Sequence, residues 1–243
     1  MSTIVFLDTR GEKLPKAARE AVTYASQLAG GPVTAVTFGD AQGLETLGAQ
    51  GAGKVIVARG LKTVDGQQLT RLVADVATKE HADTIVCVHD ATGKTVAPRV
   101  AVRLKAGHVA GVTGLPEGGL FRRNVFSGKA RAFVEVKSPV KVLSLMPNSI
   151  AVGTGTNSAT VEEYAGDPGP GRITVKEVRK AGSGVPLPEA DLVVSVGRGM
   201  KGPEHWGLVE ELAKELGAAT ACSRPVADMH WRPHHEHVGQ TGL

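Results

Sequence analysis

VVSVGRGMKGPEHW, residues 193–206, decides how the second half of this chain is read. Gly197, Gly199 and Gly202 have the spacing G-x-G-x-x-G directly after the apolar run DLVVSV (191–196). The stretch PEHWGLVEELAKELG (203–217) follows with apolar residues at helical spacing, and Pro203 suits a first helical turn. A second short apolar run, AATACS (218–223), comes next. Strand, glycine turn, helix from about 203 to 216 and strand make the start of a βαβ unit whose turn can hold a phosphate.

Upstream the same rhythm repeats. TIVFLD (3–8), PKAAREAVTYASQLAGG (15–31), VTAVTF (33–38), AQGLETLGAQGA (41–52) and KVIVAR (54–59) alternate strand and helix patterns. The alternation continues through DGQQLTRLVADVATKEHA (65–82), DTIVCVHD (83–90) and GKTVAPRVAVRLKAGH (93–108), where a glycine is expected to stop the helix before VAGVTGL (109–115). The usual solution is a parallel sheet covered by helices on both faces, here with four to five parallel strands before residue 115. From 119 to 152 the strand-like runs are separated by Ser-Gly-Lys and Ser-Pro, which reads as a hairpin or meander at the sheet edge. GTGTNSATVEEYAGDPGPGR (153–172) reads as a long loop, ITVKEVR (173–179) as one more strand, and KAGSGVPLPEA (180–190) as a domain break.

The expected organisation is therefore α/β throughout: an N-terminal parallel-sheet, nucleotide-binding-like domain with an added β hairpin over 1–184, then the start of a second, doubly wound domain over 185–243. The last stretch, RPVADMHWRPHHEHVGQTGL (224–243), has no sustained periodicity and no further strand pattern. Two strands and one helix bury little apolar surface, so this unit is expected to lean on a partner chain or to be the front half of a larger domain.

With 42% hydrophobic and 21% charged residues among 243, the composition is that of a soluble globular protein. The net charge of +4 is spread along the chain rather than gathered in runs, which argues against a nucleic-acid partner. Cys87 and Cys222 are far apart inside apolar segments, the pattern of small buried hydrophobes in a reducing, cytoplasmic setting. No apolar run is long enough for a membrane span, and no leader pattern precedes TIVFLD.

An NAD site of this type requires an Asp or Glu about 20 residues past the glycines. The sequence offers Ser223 and Arg224 there, with Asp228 further on, and the turn itself carries Arg198 and Lys201. Positive charge where NAD needs negative points to a phosphorylated cofactor held differently. An NAD-dependent dehydrogenase is disfavoured on the same ground.

VVSVGRGMKGPEHWGLVEELAKELGAATACSRPVADMHWRPHHEHVGQTG (193–242) resembles the FAD-binding segment of the electron transfer flavoprotein alpha subunit, whose GRG-x-K turn, Ser-Arg-x-x-x-D segment and V-G-Q-T-G loop stand here in order. GKTVAPRVAVRL, VTGL and FSGKARAFVEVKS are similar to the family's first domain, so the resemblance spans nearly the whole chain. It implies a non-covalent FAD, a heterodimer with a beta subunit, and single electrons carried from acyl-CoA or other dehydrogenases to a quinone-linked acceptor. It implies an electron carrier rather than a substrate-converting enzyme. Carried over by position, Arg198 and Ser223 touch FAD, Arg224 lies beside the isoalloxazine, and Val238, Gly239, Gln240 and Thr241 form the loop along the ring with the Thr241 hydroxyl near N5. The family chain continues beyond this loop with further cofactor contacts, so FAD is expected to be weakly held or absent with residues up to Leu243 alone. His237 stands where the family commonly has Gln.

The chemistry of those residue types is consistent with such roles. A fixed guanidinium lowers the cost of negative charge on a reduced flavin, a hydroxyl can bond a ring nitrogen, and Gly239 and Gly242 permit close backbone approach. The histidine-rich stretch His230, His234, His235, Glu236 and His237 is not read as a metal site, because Pro233 interrupts any helix that would align the rings. Trp206 and Trp231 are read as packing residues, and GKTVAPR as a helix start without the earlier glycine of a P-loop. The competing reading is a nucleotide-binding or scaffolding subunit without flavin, in which the N-terminal domain is the working part; it has no need of the paired CSRP and VGQTG loops.

Overall fold

The computed structural model describes residues 2–10, 14–28, 30–177, 187, 190–239 and 242. The chain divides into two compact units, Met1–Val175 and Lys176–Leu243. The boundary expected at 184/185 falls among residues 178–186, outside the described residues.

The first unit is built by short runs of β-branched residues that are apolar on both faces. These are β1 (Thr3–Phe6), β2 (Val33–Phe38), β3 (Lys54–Ala58) and β4 (Thr84–Val88), almost every residue of which is buried. Alternate side chains enter two separate cores. Val5, Val86 and Val88 join Ala21, Tyr24 and Ala25 of α1 (Lys16–Leu28), while Ile4, Phe6 and Cys87 join Leu69 and Leu72 of α2 (Gly66–Lys79) and Val96 and Val100 of α3 (Ala91–Leu104). Both α2 and α3 begin on an aspartate. Asp65 accepts from the amides of Gln67 and Gln68 at 2.8 and 3.3 Å, and Asp90 from that of Gly93 at 2.7 Å. A Cβ at Gly93 would collide with the carbonyl oxygen of Val88, so only glycine lets α3 start this close to β4.

The remaining strands are β5 (Gly107–Val112), β6 (Phe121–Val125), β7 (Ala130–Val134), β8 (Lys141–Leu145) and β9 (Thr160–Glu163). The nine-stranded sheet has the order β7-β6-β5-β8-β4-β1-β2-β3-β9. All its pairings are parallel except β5 with β6 and β6 with β7, the expected hairpin at the edge.

Five details differ from the sequence reading. KVLSL is not part of the edge meander: it forms β8, parallel between β5 and β4 in the middle of the sheet. Residues 160–163, expected in a loop, form β9 and pair with β3 from Lys54↔Thr160 to Val57↔Glu163. With that edge taken, the described part of ITVKEVR carries no strand; the segment ahead of it is held by the Arg172 amide, which donates to Asp65 at 2.7 Å. LETLGAQ (44–50) is 3₁₀ rather than α-helix, and α3 stops at Lys105, in a left-handed conformation with φ 53°, two residues before Gly107 opens β5.

The second unit contains β10 (Val193–Val196), α4 (Trp206–Leu216), β11 (Ala219–Cys222) and α5 (Arg224–Asp228). Strands β10 and β11 are parallel, in register from Val193↔Ala219 to Val196↔Cys222, with α4 as the crossover. Its core is small: Trp206, Val209, Cys222, Val226 and Ala227. The short helix α5 was not apparent in the sequence, where Pro225 masks a single turn.

Candidate functional site

Parallel strands put the loops that follow them at one end of the sheet, and in open α/β sheets that carboxyl end is where ligands bind. In the second unit three segments meet there. The first is the glycine turn after β10, where Gly197 leads into one 3₁₀ turn, Arg198–Met200, closed by Lys201 at φ 66°. The second is Ser223, whose amide donates to the Val196 carbonyl at 3.0 Å and which begins α5. The third is the segment after the 3₁₀ turn His234–Glu236: Cys222 bridges to His237, and the Val238 amide donates to the Cys222 carbonyl at 2.9 Å.

These contacts place the expected site residues as follows. Arg198 is exposed in the glycine turn, and among the described residues neither it nor Lys201 is ion-paired. Ser223 is half-buried and makes no cap bond to α5, which leaves its hydroxyl available; a Cβ at Gly197 would sit 3.5 Å from that oxygen. Arg224, at the start of α5, turns along the helix to Asp228 at 3.3 Å, an exposed pair of little strength. Val238 is half-buried, and Gly239 has φ 127°, a conformation that side-chain-bearing residues rarely adopt. The Gly242 amide donates to the Gly239 carbonyl at 3.1 Å. Gln240 and Thr241 lie outside the described residues.

The donor set suits a dinucleotide with a pyrophosphate: two cations without an ion-pair partner among the described residues, and an uncapped hydroxyl, around a glycine turn at the carboxyl end of two parallel strands. At the end of β11, where an NAD site carries an Asp or Glu for the ribose, this chain has Ser223 and Arg224 instead.

Residues 3–168 match the Electron transfer flavoprotein domain family, and residues 186–243 match the Electron transfer flavoprotein FAD-binding domain family. The chain belongs to the electron transfer flavoprotein alpha-subunit family. It is 30% identical over 250 residues to the "Electron transfer flavoprotein subunit alpha" of Bacillus subtilis (strain 168), covering 98% of this chain and 77% of that relative. The corresponding subunit of Syntrophomonas wolfei is 32% identical over 253 residues, covering 99% of this chain and 78% of the relative. A "Probable electron transfer flavoprotein subunit alpha, mitochondrial" of Caenorhabditis elegans is 27% identical over 257 residues, covering 99% of this chain and 74% of the relative. FAD is the cofactor of this family's second domain, and the geometry at the ends of β10 and β11 fits it.

One arrangement in the second unit was not legible in the sequence. Arg232 donates to both carboxylate oxygens of Glu236 at 2.7 Å, reaches Glu210 of α4 at 3.2 Å, and stacks over the Trp206 ring with 5.0 Å between guanidinium and ring centre. The i,i+4 spacing of Arg232 and Glu236 was the available signal, obscured by Pro233 between them. Among the described residues no group of three or more His, Cys, Asp or Glu is placed to hold a metal, and His230 and His234 meet edge to face at 6.2 Å. Trp206 and Trp231 pack in the small core with Cys222.

Proposed function

We propose that this chain is the alpha subunit of an electron-carrying heterodimer with an electron transfer flavoprotein beta subunit. It works in the cytoplasm, taking single electrons from dehydrogenases such as acyl-CoA dehydrogenases and passing them to a quinone-linked acceptor. The observation that carries this reading is the convergence of the glycine turn, Ser223 and the Val238–Gly239 segment at the ends of β10 and β11, inside the stretch that matches the FAD-binding family. FAD, when bound, supplies the electron-accepting ring. Arg198, with Lys201, neutralises the pyrophosphate, and the Ser223 hydroxyl donates to it. Arg224, held by Asp228 only through a weak, exposed pair, would supply the positive charge that lowers the cost of negative charge on the ring. Val238 and Gly239, with Gln240 and Thr241 after them in sequence, would hold the ring, and the Thr241 hydroxyl would supply a hydrogen bond to a ring nitrogen.

The alternative, a nucleotide-binding or scaffolding subunit that works through its N-terminal unit, has less support. At the carboxyl end of that sheet Asp8 holds Arg10 in two bonds of 2.7 and 2.8 Å, and Asp90 caps α3 itself. Carboxylates therefore occupy the places where a phosphate would sit. No helix of the described residues is long and apolar enough to cross a membrane.

The test is an absorbance spectrum from about 300 to 550 nm, where oxidised flavin absorbs, of the protein mixed with FAD and a beta subunit of the family and then separated from unbound cofactor. Flavin bands that travel with the protein and diminish in Arg198→Ala and Arg224→Ala support the reading. Bands retained equally by both variants, or never retained, contradict it.

A further inference from the structure

We propose that Arg232 is a positioning residue: it pins the segment leading into the flavin loop so that Val238 and Gly239 stand at the end of β11. The proposal rests on the FAD reading above, and the pin itself is carried by geometry within the second unit. Residues 229–239 have almost no regular structure, only one 3₁₀ turn at His234–Glu236, and they contribute a single bridge to a strand, Cys222↔His237. Backbone bonds tie Met229, His230 and Trp231 back to α5 and Val238 to Cys222, but the amides of Glu236 and His237 donate only within the 3₁₀ turn, so that turn depends on side chains to hold it against the rest of the unit.

Arg232 supplies it from three directions. The two 2.7 Å bonds to Glu236 form a planar, bidentate pair that fixes the 3₁₀ turn relative to Trp231 and Pro233. The bond to Glu210 at 3.2 Å and the stacking on Trp206 tie the same guanidinium to α4, the crossover helix. The Arg232 and Glu236 side chains are only 23% and 15% exposed, so this pair is shielded far more than the Arg224–Asp228 pair at 61% and 52%. Immediately after Glu236 come His237, which bridges to Cys222, and Val238, whose amide donates to the Cys222 carbonyl. Any rotation of the 3₁₀ turn therefore moves the backbone proposed to lie along the ring. A lysine cannot reproduce the arrangement, because an ammonium has no planar fork to satisfy both Glu236 oxygens and still stack on Trp206. Glu210, 56% exposed, is the weaker arm.

The experiment compares the wild-type chain with Arg232→Ala, Arg232→Lys, Glu236→Gln and Glu210→Gln. Two quantities are read on each: amide hydrogen exchange of peptides covering 234–239, without cofactor, and FAD affinity by flavin-fluorescence titration in the presence of the beta subunit. Arg232→Ala and Glu236→Gln are expected to speed exchange over 234–239 while peptides from β10 and β11 exchange as in wild type, which shows that the second unit is folded. The same variants are expected to bind FAD about tenfold more weakly, the loss typical of removing an outer support from a ligand site. Arg232→Lys falls between them and wild type, and Glu210→Gln has the smallest effect. Unchanged exchange over 234–239 in Arg232→Ala overturns the pin. Faster exchange with unchanged FAD affinity overturns its role in positioning the flavin loop. If the wild-type protein binds no FAD, the functional reading fails instead, and the exchange result alone decides whether Arg232 holds the segment.

Discussion

Asp65 shows how much one side chain can organise here. Its carboxylate is held below the usual range by the Arg172 amide above all, against the opposing effect of burial, with the Gln67 and Gln68 amides adding to the shift. A carboxylate depressed in the folded state contributes stability that is present above about pH 4 and is lost as pH falls through the folded pKa. Asp65→Ala removes a helix cap and is expected to cost about 1–2 kcal/mol in denaturant unfolding at pH 7. Limited proteolysis should then cut near Arg172 sooner than in wild type, since the same carboxylate holds that amide. The two cysteines provide a second check at this scale. Burial pushes the Cys87 thiol up to about 12, and desolvation raises that of Cys222 as well. Both are fully buried, so an aromatic disulfide reagent at pH 8 should modify neither in the native protein and both in denaturant. Fast labelling of the native chain would contradict the packing around β4 or β11.

Among the elements, those with a strong local pattern were legible and those fixed by distant partners were not. The runs of β1 to β4 announce themselves through β-branched residues, and α1, α2 and α4 through their apolar period. By contrast KVLSL has the pattern of any short strand, and its place between β5 and β4 depends on pairing partners more than thirty residues away in sequence. β9 carries Thr160, Val161, Glu162 and Glu163, all exposed, and only its pairing with β3 makes it a strand. Its charges suit an exposed sheet edge, which they protect from pairing with other chains. The junction of β4 with α3 offers an element-scale test. Gly93→Ala forces a methyl into the Val88 carbonyl and is expected to destabilise by about 1–3 kcal/mol, measured by chemical denaturation, although alanine is the better helix former. A neutral or stabilising outcome would mean that α3 does not start so close to the strand.

For the molecule as a whole, pH sensitivity should originate in the nine-stranded sheet. His89 bonds Ser144 at 2.8 Å, and burial holds its ring below the ordinary histidine range, with Lys94, His108 and Arg123 adding repulsion; burial lowers His108 too. A base depressed in the folded state takes up protons first when unfolded, so stability is full above about pH 6.5 and declines as pH falls below it. The melting temperature should drop between pH 7 and 5.5, and His89→Gln should reduce that drop. The candidate site in the second unit can be read from sequence where its residues are adjacent, as in Gly197–Arg198 and Ser223–Arg224. It was not legible where a support reaches from Arg232 to α4, because no local pattern records a contact between an irregular segment and a helix. The most direct test is amide exchange of the chain with the proposed beta subunit, measured with and without FAD. Protection is expected at 197–201, 223–224 and 238–239 with no change at the ends of β1 and β4; protection at Asp8 and Asp90 with none in the second unit would contradict the proposed site.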